Sequence, residues 1–124
     1  MIKKVKIGYQ WDFGKDEKFA ERLKNLVLSG KKTATTGLYK QNQKIPKVGE
    51  YAAILNTDRK RFCIIQYTNV EIKSFLEVDY NFVQEEGEGD KTVEEWREKH
   101  RKFFNLDNDD VKVVCEEFEL VSKL

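Results

Sequence analysis

Tyr51-Ala52-Ala53-Ile54-Leu55-Asn56-Thr57-Asp58-Arg59-Lys60-Arg61-Phe62-Cys63-Ile64-Ile65-Gln66-Tyr67-Thr68-Asn69-Val70-Glu71-Ile72 is the stretch on which the fold turns. Val48-Gly49-Glu50 leads into an apolar run from Tyr51 to Leu55, and Asn56-Thr57-Asp58 then supplies three turn-forming residues. Beyond the turn, Phe62, Ile64, Gln66, Thr68, Val70 and Ile72 alternate with Cys63, Ile65 and Tyr67, the period of a strand with two different faces. Two such runs around a short turn predict an antiparallel hairpin, and the rest of the chain is arranged around it.

Upstream, Phe19, Ala20, Leu23, Leu26 and Val27 fall on one helical face between Asp16 and Ser29, with Asp16 placed as N-cap and Gly30 as the residue that ends the helix. Downstream, Phe82-Val83 sits on a short helix that stops at Gly87. Thr92-Val93-Glu94-Glu95 matches a capping box, and Val93, Trp96, His100, Phe103 and Phe104 follow as one stripe, which predicts a second long helix with its aromatics buried. From Val111 to Val121, Val114, Glu116, Phe118 and Leu120 alternate with Val113, Cys115 and Glu117, the pattern of a closing strand. Helices and antiparallel strands without a βαβ rhythm define an α+β class, a small curved sheet or barrel flanked by helices.

The whole chain, 124 residues with a single proline and no repeat, reads as one domain, 1–124. Its 40% hydrophobic and 36% charged residues exclude disordered and collagen-like classes. No apolar run reaches the ~20 residues that span a bilayer, and Met1-Ile2-Lys3-Lys4-Val5-Lys6 has no apolar leader core, so a cytoplasmic protein without membrane contact is expected. Cys63 and Cys115 lie in apolar stretches without a CxxC spacing and are expected to stay reduced. The net charge of +1 argues against a protein that grips long nucleic acid through phosphates. Its distribution is uneven: Lys31 to Arg61 holds eight basic against two acidic residues, and Leu76 to Leu120 holds fifteen acidic against six basic. Either the molecule has two solvated faces of opposite sign, or a cleft has one basic and one acidic wall.

Two stretches carry chemistry. In Ser29-Gly30-Lys31-Lys32-Thr33-Ala34-Thr35-Thr36-Gly37, a helical continuation would put Lys32 and Thr35 on one face, where a lysine beside a hydroxyl can act as a base or stabilise an oxyanion. The same residues also read as a helix end followed by a strand. Glu85-Glu86-Gly87-Glu88-Gly89-Asp90 sets four carboxylates before a capped helix, where the dipole favours them; the EF-hand pattern is missing, and neither a metal nor a cofactor is expected. The single histidine, His100, reads as a hydrogen-bonded structural residue on the aromatic stripe.

Taken in order, Leu26 to Thr35, Pro46-Lys47-Val48-Gly49-Glu50-Tyr51, Phe82 to Asp90, Trp96-Arg97-Glu98-Lys99-His100 with Phe103-Phe104, and Val114 to Phe118 resemble successive signatures of the ASCH domain family, in a longer EGEGD/WRxxH branch. The resemblance spans about residues 16 to 121 and implies a PUA-like fold, a small β-barrel with flanking helices. It also implies an RNA-binding or RNA-processing role. A shorter, related branch comprises amidohydrolases of 4-acetylcytidine, whose Gly-x-Lys-x-x-Thr falls on Gly30, Lys32 and Thr35 and whose glutamate falls on Glu86. The catalytic set so implied is Lys32, Thr35 and Glu86, with Lys32 activating the Thr35 hydroxyl for attack on an amide carbonyl and Glu86 handling the leaving amine's proton. Lys31, Thr36, Tyr39, Tyr51 and Tyr67 are the expected ligand-binding residues, the tyrosines as stacking platforms for a base. The expected partner is RNA or a modified nucleoside. A non-catalytic RNA-binding module and a metal-assisted ribonuclease are the competing readings.

Overall fold

The structure, a computed structural model, describes residues 5–124; the reading of Met1 to Lys4 as part of a leaderless start lies outside the described residues. The hairpin forms as its sequence dictates. β3 (Tyr51–Leu55) pairs antiparallel with β4 (Arg61–Ser74). The turn between them is closed by Asn56 N–H to the Lys60 carbonyl at 2.8 Å and Arg59 N–H to the Asn56 carbonyl at 2.9 Å. The strict alternation expected along β4 is not kept. Phe62, Cys63, Ile64 and Ile65 are all buried, and register shifts between Ile64 and Ile65 and between Tyr67 and Asn69 interrupt the ladder to β5 (Lys112–Lys123). Such bulges bend a strand and change which face its residues present.

Two further strands complete a sheet of order β1-β3-β4-β5-β2. β2 (Ala34–Leu38) lies antiparallel to β5, and β1 (Ile7–Asp12) lies parallel to β3. Among the described residues β1 and β2 are the edges and do not pair with each other, so the sheet is open, a five-stranded α+β sheet with three α-helices where a barrel was expected. α1 (Glu17–Leu28) connects the two edge strands and sends Ala20, Leu23 and Val27 into the interior. Val27 packs with Ala52, Ile54, Phe62, Cys63, Ile65, Tyr67 and Phe118 in one core.

α1 starts on Asp16, whose carboxylate accepts from Phe19 N–H, and Gly30 beyond its end has φ +82°. α2 (Tyr80–Glu86) and α3 (Val93–Phe103) cover a second core of Ala34, Phe75, Val78, Phe82, Val83, Trp96, Val113 and Cys115. Asp79 caps α2 and Gly87 ends it. Thr92 accepts from Glu95 N–H at 3.0 Å, but the Glu95 carboxylate accepts from Lys91 N–H, one residue short of a closed capping box. Of the aromatic stripe, Trp96 is fully buried and Phe104 half-buried, whereas Phe103, expected inside, is 66% exposed. It is the last residue of α3, and its ring centroid lies 5.5 Å from that of Phe104 and 6.3 Å from those of both His100 and Phe19 of α1. Cys63 and Cys115 are buried and unbridged. Among the described residues no helix is long and apolar enough to cross a membrane.

Candidate functional site

The chain leaving α1 does not continue as a helix. Lys31 and Lys32 N–H both donate to the Leu26 carbonyl, Thr33 N–H donates to the Glu85 carbonyl at 2.8 Å, and Ala34 begins β2. The helical spacing that would have set Lys32 beside Thr35 is thus absent. Lys32 is instead carried inward by this pinned link and is 1% exposed. Its ammonium has three protons and three acceptors: the Ala34 carbonyl at 2.8 Å, the Glu86 carbonyl at 3.4 Å and Glu88 Oε2 at 2.8 Å.

Glu86 and Glu88 flank Gly87, whose φ of +68° and tight surroundings both demand glycine: a Cβ there would stand 2.1 Å from the Lys31 carbonyl oxygen. This contact locks the acidic loop onto the lysine link. Glu86, the last residue of α2 and 1% exposed, accepts from Thr36 Oγ1 at 2.8 Å through Oε2 and from Trp96 Nε1 through Oε1. Burial opposes ionisation of Glu88, but Lys32, backed by Lys99 and His100, outweighs it and holds that carboxyl below the usual range. Lys99 lies 3.5 Å from Glu88 Oε1 and 2.7 Å from Asp90 Oδ2. Glu85 faces away from this cluster; a hydrogen bond with Glu117, added to by burial, pushes its carboxyl up to about 7.

These groups meet at a cavity of about 390 Å³. Its polar wall is formed by Lys32, Thr35, Thr36, Glu86, Glu88, Lys99 and His100, and its aromatic wall by Trp11, Phe13, Phe19 and Phe103. Both edge strands reach it, β1 through Trp11 and Asp12 and β2 through Thr35 and Thr36, so the cavity occupies the gap at which the sheet fails to close. A lysine from the basic third of the sequence here faces carboxylates from the acidic third. A larger groove of about 800 Å³ between α1 and the β3–β4 turn gathers none of these groups.

The structure therefore brings Lys32, Thr35, Thr36 and Glu86 to one cavity, and places the other sequence-assigned residues elsewhere. Lys31 is exposed beside Gly87. Tyr39 and Tyr51 are half-buried and do not line the cavity. Tyr67 is a core residue, 2% exposed, whose hydroxyl accepts from Trp11 Nε1 at 3.0 Å and is pushed up by burial. The aromatics that do line the cavity lie on β1, on the loop after it and on two helices. Sequence reasoning missed them; the pairing of an aromatic on α1 with one at the end of α3 becomes visible only when the helices are docked.

Comparison with known proteins gives a consistent result. The family model described as ASCH domain matches residues 9–122. The crystal structure of protein EF3133 from Enterococcus faecalis V583 is similar at 31% identity and TM-score 0.82, over 98% of this chain and 84% of that one. An ASCH domain from Lactobacillus crispatus JV V101 is also 31% identical, with TM-score 0.79, over 90% of this chain and 79% of that one. A point mutant of ZmASCH from Zymomonas mobilis, at 11% identity and TM-score 0.57 over 84% of this chain and 69% of that one, shares the fold. No curated protein matches the chain.

Proposed function

Since the chain belongs to the ASCH domain family, we propose that its cavity takes a modified nucleoside, free or within single-stranded RNA, and hydrolyses an N-acyl amide on the base, with Lys32, Thr35 and Glu86 as the catalytic set. The single observation that carries this reading is the convergence of those three side chains on one aromatic-walled cavity of nucleoside size. In this reading Phe103 and Phe19 stack on the base, because a π-face suits any nucleobase. Thr35 supplies the attacking hydroxyl. Lys32 acts as a cation: its longest hydrogen bond, 3.4 Å to the Glu86 carbonyl, is the one most readily exchanged for a developing oxyanion. Glu86, at the end of α2, handles the proton of the departing amine.

A second reading, an RNA-binding module without catalysis, is favoured by one specific observation: all three Lys32 protons are already donated, so the lysine is no free base. A metal-assisted ribonuclease is supported less, because Glu88 and Asp90 of the acidic loop are neutralised by Lys32 and Lys99.

Mass spectrometry of a panel of N-acylated nucleosides, incubated with the protein in the presence and absence of a chelator, tests these readings. Loss of the acyl group, retained with chelator and abolished in Thr35→Ala, is expected. No turnover, together with RNA affinity that falls steeply as salt rises, would replace the hydrolase with the binding module.

A further inference from the structure

His100 has an unused hydrogen-bonding atom directed to the cavity. Its ring stacks on Trp96 with centroids 4.1 Å apart and planes 25° from parallel, and its Nδ1 lies 2.8 Å from the Trp96 carbonyl oxygen. A carbonyl only accepts, so Nδ1 carries the proton, and in the neutral imidazole the lone pair belongs to Nε2. Nε2 has no hydrogen-bond partner among the described residues. Glu86 Oε1 is 3.8 Å away, beyond hydrogen-bond range. Among the described residues the one fully buried side-chain polar atom without a partner is Arg97 Nε, so Nε2 is not sealed from solvent, and His100 lines the cavity. A histidine retained for packing alone would have both nitrogens satisfied or sealed. Here the tautomer is fixed by one contact and the basic nitrogen is left open.

Two other groups of the cavity, Lys32 and Glu86, are occupied. Lys32 has donated its three protons, and Glu86 accepts from both Thr36 and Trp96. We propose that His100 is the general base and acid of this cavity, with Nε2 taking the proton of the nucleophile and returning it to the leaving group. The proposal rests on the amidohydrolase reading above and changes which residue moves the proton. As the Thr35 Oγ1 to acyl-carbon bond forms, the hydroxyl proton passes to Nε2. It passes on to the amine nitrogen as the C–N bond breaks. Water then attacks the Thr35 ester, gives a proton to Nε2, and that proton returns to Thr35 Oγ1 as the ester C–O bond breaks. Amine and carboxylic acid leave, and no oxidant or reductant is needed. The charged groups that share the cavity with the imidazole are Asp12 from β1, Lys32 from the α1–β2 link, Glu86 from α2, Glu88 from the acidic loop and Lys99 from α3 itself, Glu86 being 3.8 Å from Nε2.

The chain has one histidine, so its imidazole nitrogens give an NMR spectrum without overlap. In the full chain without ligand, the neutral form is expected to carry its proton on Nδ1; a proton on Nε2 would overturn the proposal whatever the substrate. With a turned-over N-acyl nucleoside, His100→Asn keeps a donor for the Trp96 carbonyl and removes Nε2. It is expected to lose about 100-fold or more in kcat with KM changed by less than about threefold. The limb of the kcat profile belonging to the base should disappear, and added imidazole should restore part of the rate in His100→Ala, which a packing role would not allow. An active parent with an unimpaired, folded His100→Asn overturns the proposal alone. A parent that hydrolyses no N-acyl nucleoside overturns the amidohydrolase reading and the proposal with it. Should both variants misfold, the tautomer still decides: a neutral ring carrying its proton on Nε2 overturns the proposal.

Discussion

Lys32 Nζ and Glu88 Oε2 stand 2.8 Å apart, with their side chains only 1% and 8% exposed. A pair this withdrawn from water contributes little net stability when intact, yet leaves an uncompensated charge when one partner is removed. Lys32→Met is therefore expected to cost about 3–5 kcal/mol, and Lys32→Met combined with Glu88→Leu less than the sum of the two single changes. Urea unfolding of the four proteins measures this. The folded Glu88 carboxyl lies below its usual range, so its contribution is present above the ordinary glutamate value and is lost as pH falls through the folded value. Acid unfolding should accordingly be shallower in Glu88→Gln; an unchanged acid limb would contradict the linkage.

Glu116 has the opposite sign. It sits on β5 across from Thr35 of β2 and Val70 of β4, and burial alone pushes its carboxyl up to about 7. The folded protein therefore holds this proton more tightly than the unfolded chain. Stability from this group is complete below the ordinary glutamate range and declines as pH rises toward about 7. Glu116→Gln removes the charge that must otherwise be buried, and at pH 8 it is expected to be more stable than the parent by about 1–3 kcal/mol. At pH 4 the two proteins should melt together. A variant less stable than the parent at pH 8 would mean that the ionised carboxylate is held by contacts that favour it.

The hairpin, both long helices and the last strand were legible because each carries a period or a cap of its own: Asp16 and Gly30 around α1, Thr92 before α3, and the alternation of Val111 to Val121. β1 was not. Ile7, Tyr9 and Trp11 do alternate with Gly8, Gln10 and Asp12, but the strand is short and half-buried, and its partner, β3, is distant in sequence and parallel. The barrel expectation failed for a similar reason, since closure depends on whether two edge strands meet, and no local pattern reports that. At the site, a motif marked Lys32 and Thr35, while the ion pair with Glu88 and the turn of Phe103 toward Phe19 arise from docking α2 and α3 against the α1–β2 link. The same docking gives His100 an open nitrogen, although its sequence position on an aromatic stripe suggests only packing.

Phe103 separates stability from recognition. At 66% exposed it contributes little to the core, yet it lines the cavity with Phe19 and Trp11. Phe103→Ala is expected to melt within about 1 kcal/mol of the parent. Its affinity for a cytidine-type nucleoside should fall by about 1–3 kcal/mol, the worth of a base stacked on an aromatic ring. Tyr39→Phe and Tyr51→Phe, away from the cavity, serve as controls with unchanged affinity in calorimetric titration. Equal loss in all three would mean that the ligand binds elsewhere.

Thr35 and Thr36 are neighbours on β2 that both reach the cavity, but only Thr36 donates to Glu86, at 2.8 Å. This difference assigns them different roles, which substitution can resolve. If Thr35 is the nucleophile, Thr35→Ala should abolish turnover and leave nucleoside binding nearly intact, because a reacting hydroxyl contributes mainly to the transition state. Thr35→Ser should retain part of the rate, since it keeps the oxygen. Thr36→Val removes the donor to Glu86 Oε2 and leaves a buried carboxylate oxygen unpaired, which is expected to cost about 1–3 kcal/mol of stability. Its effect on turnover should be partial and carried by Glu86. The reverse result, with Thr36→Val inactive and Thr35→Ala close to the parent, would move the nucleophile to Thr36 and make the Thr36–Glu86 contact the activating one.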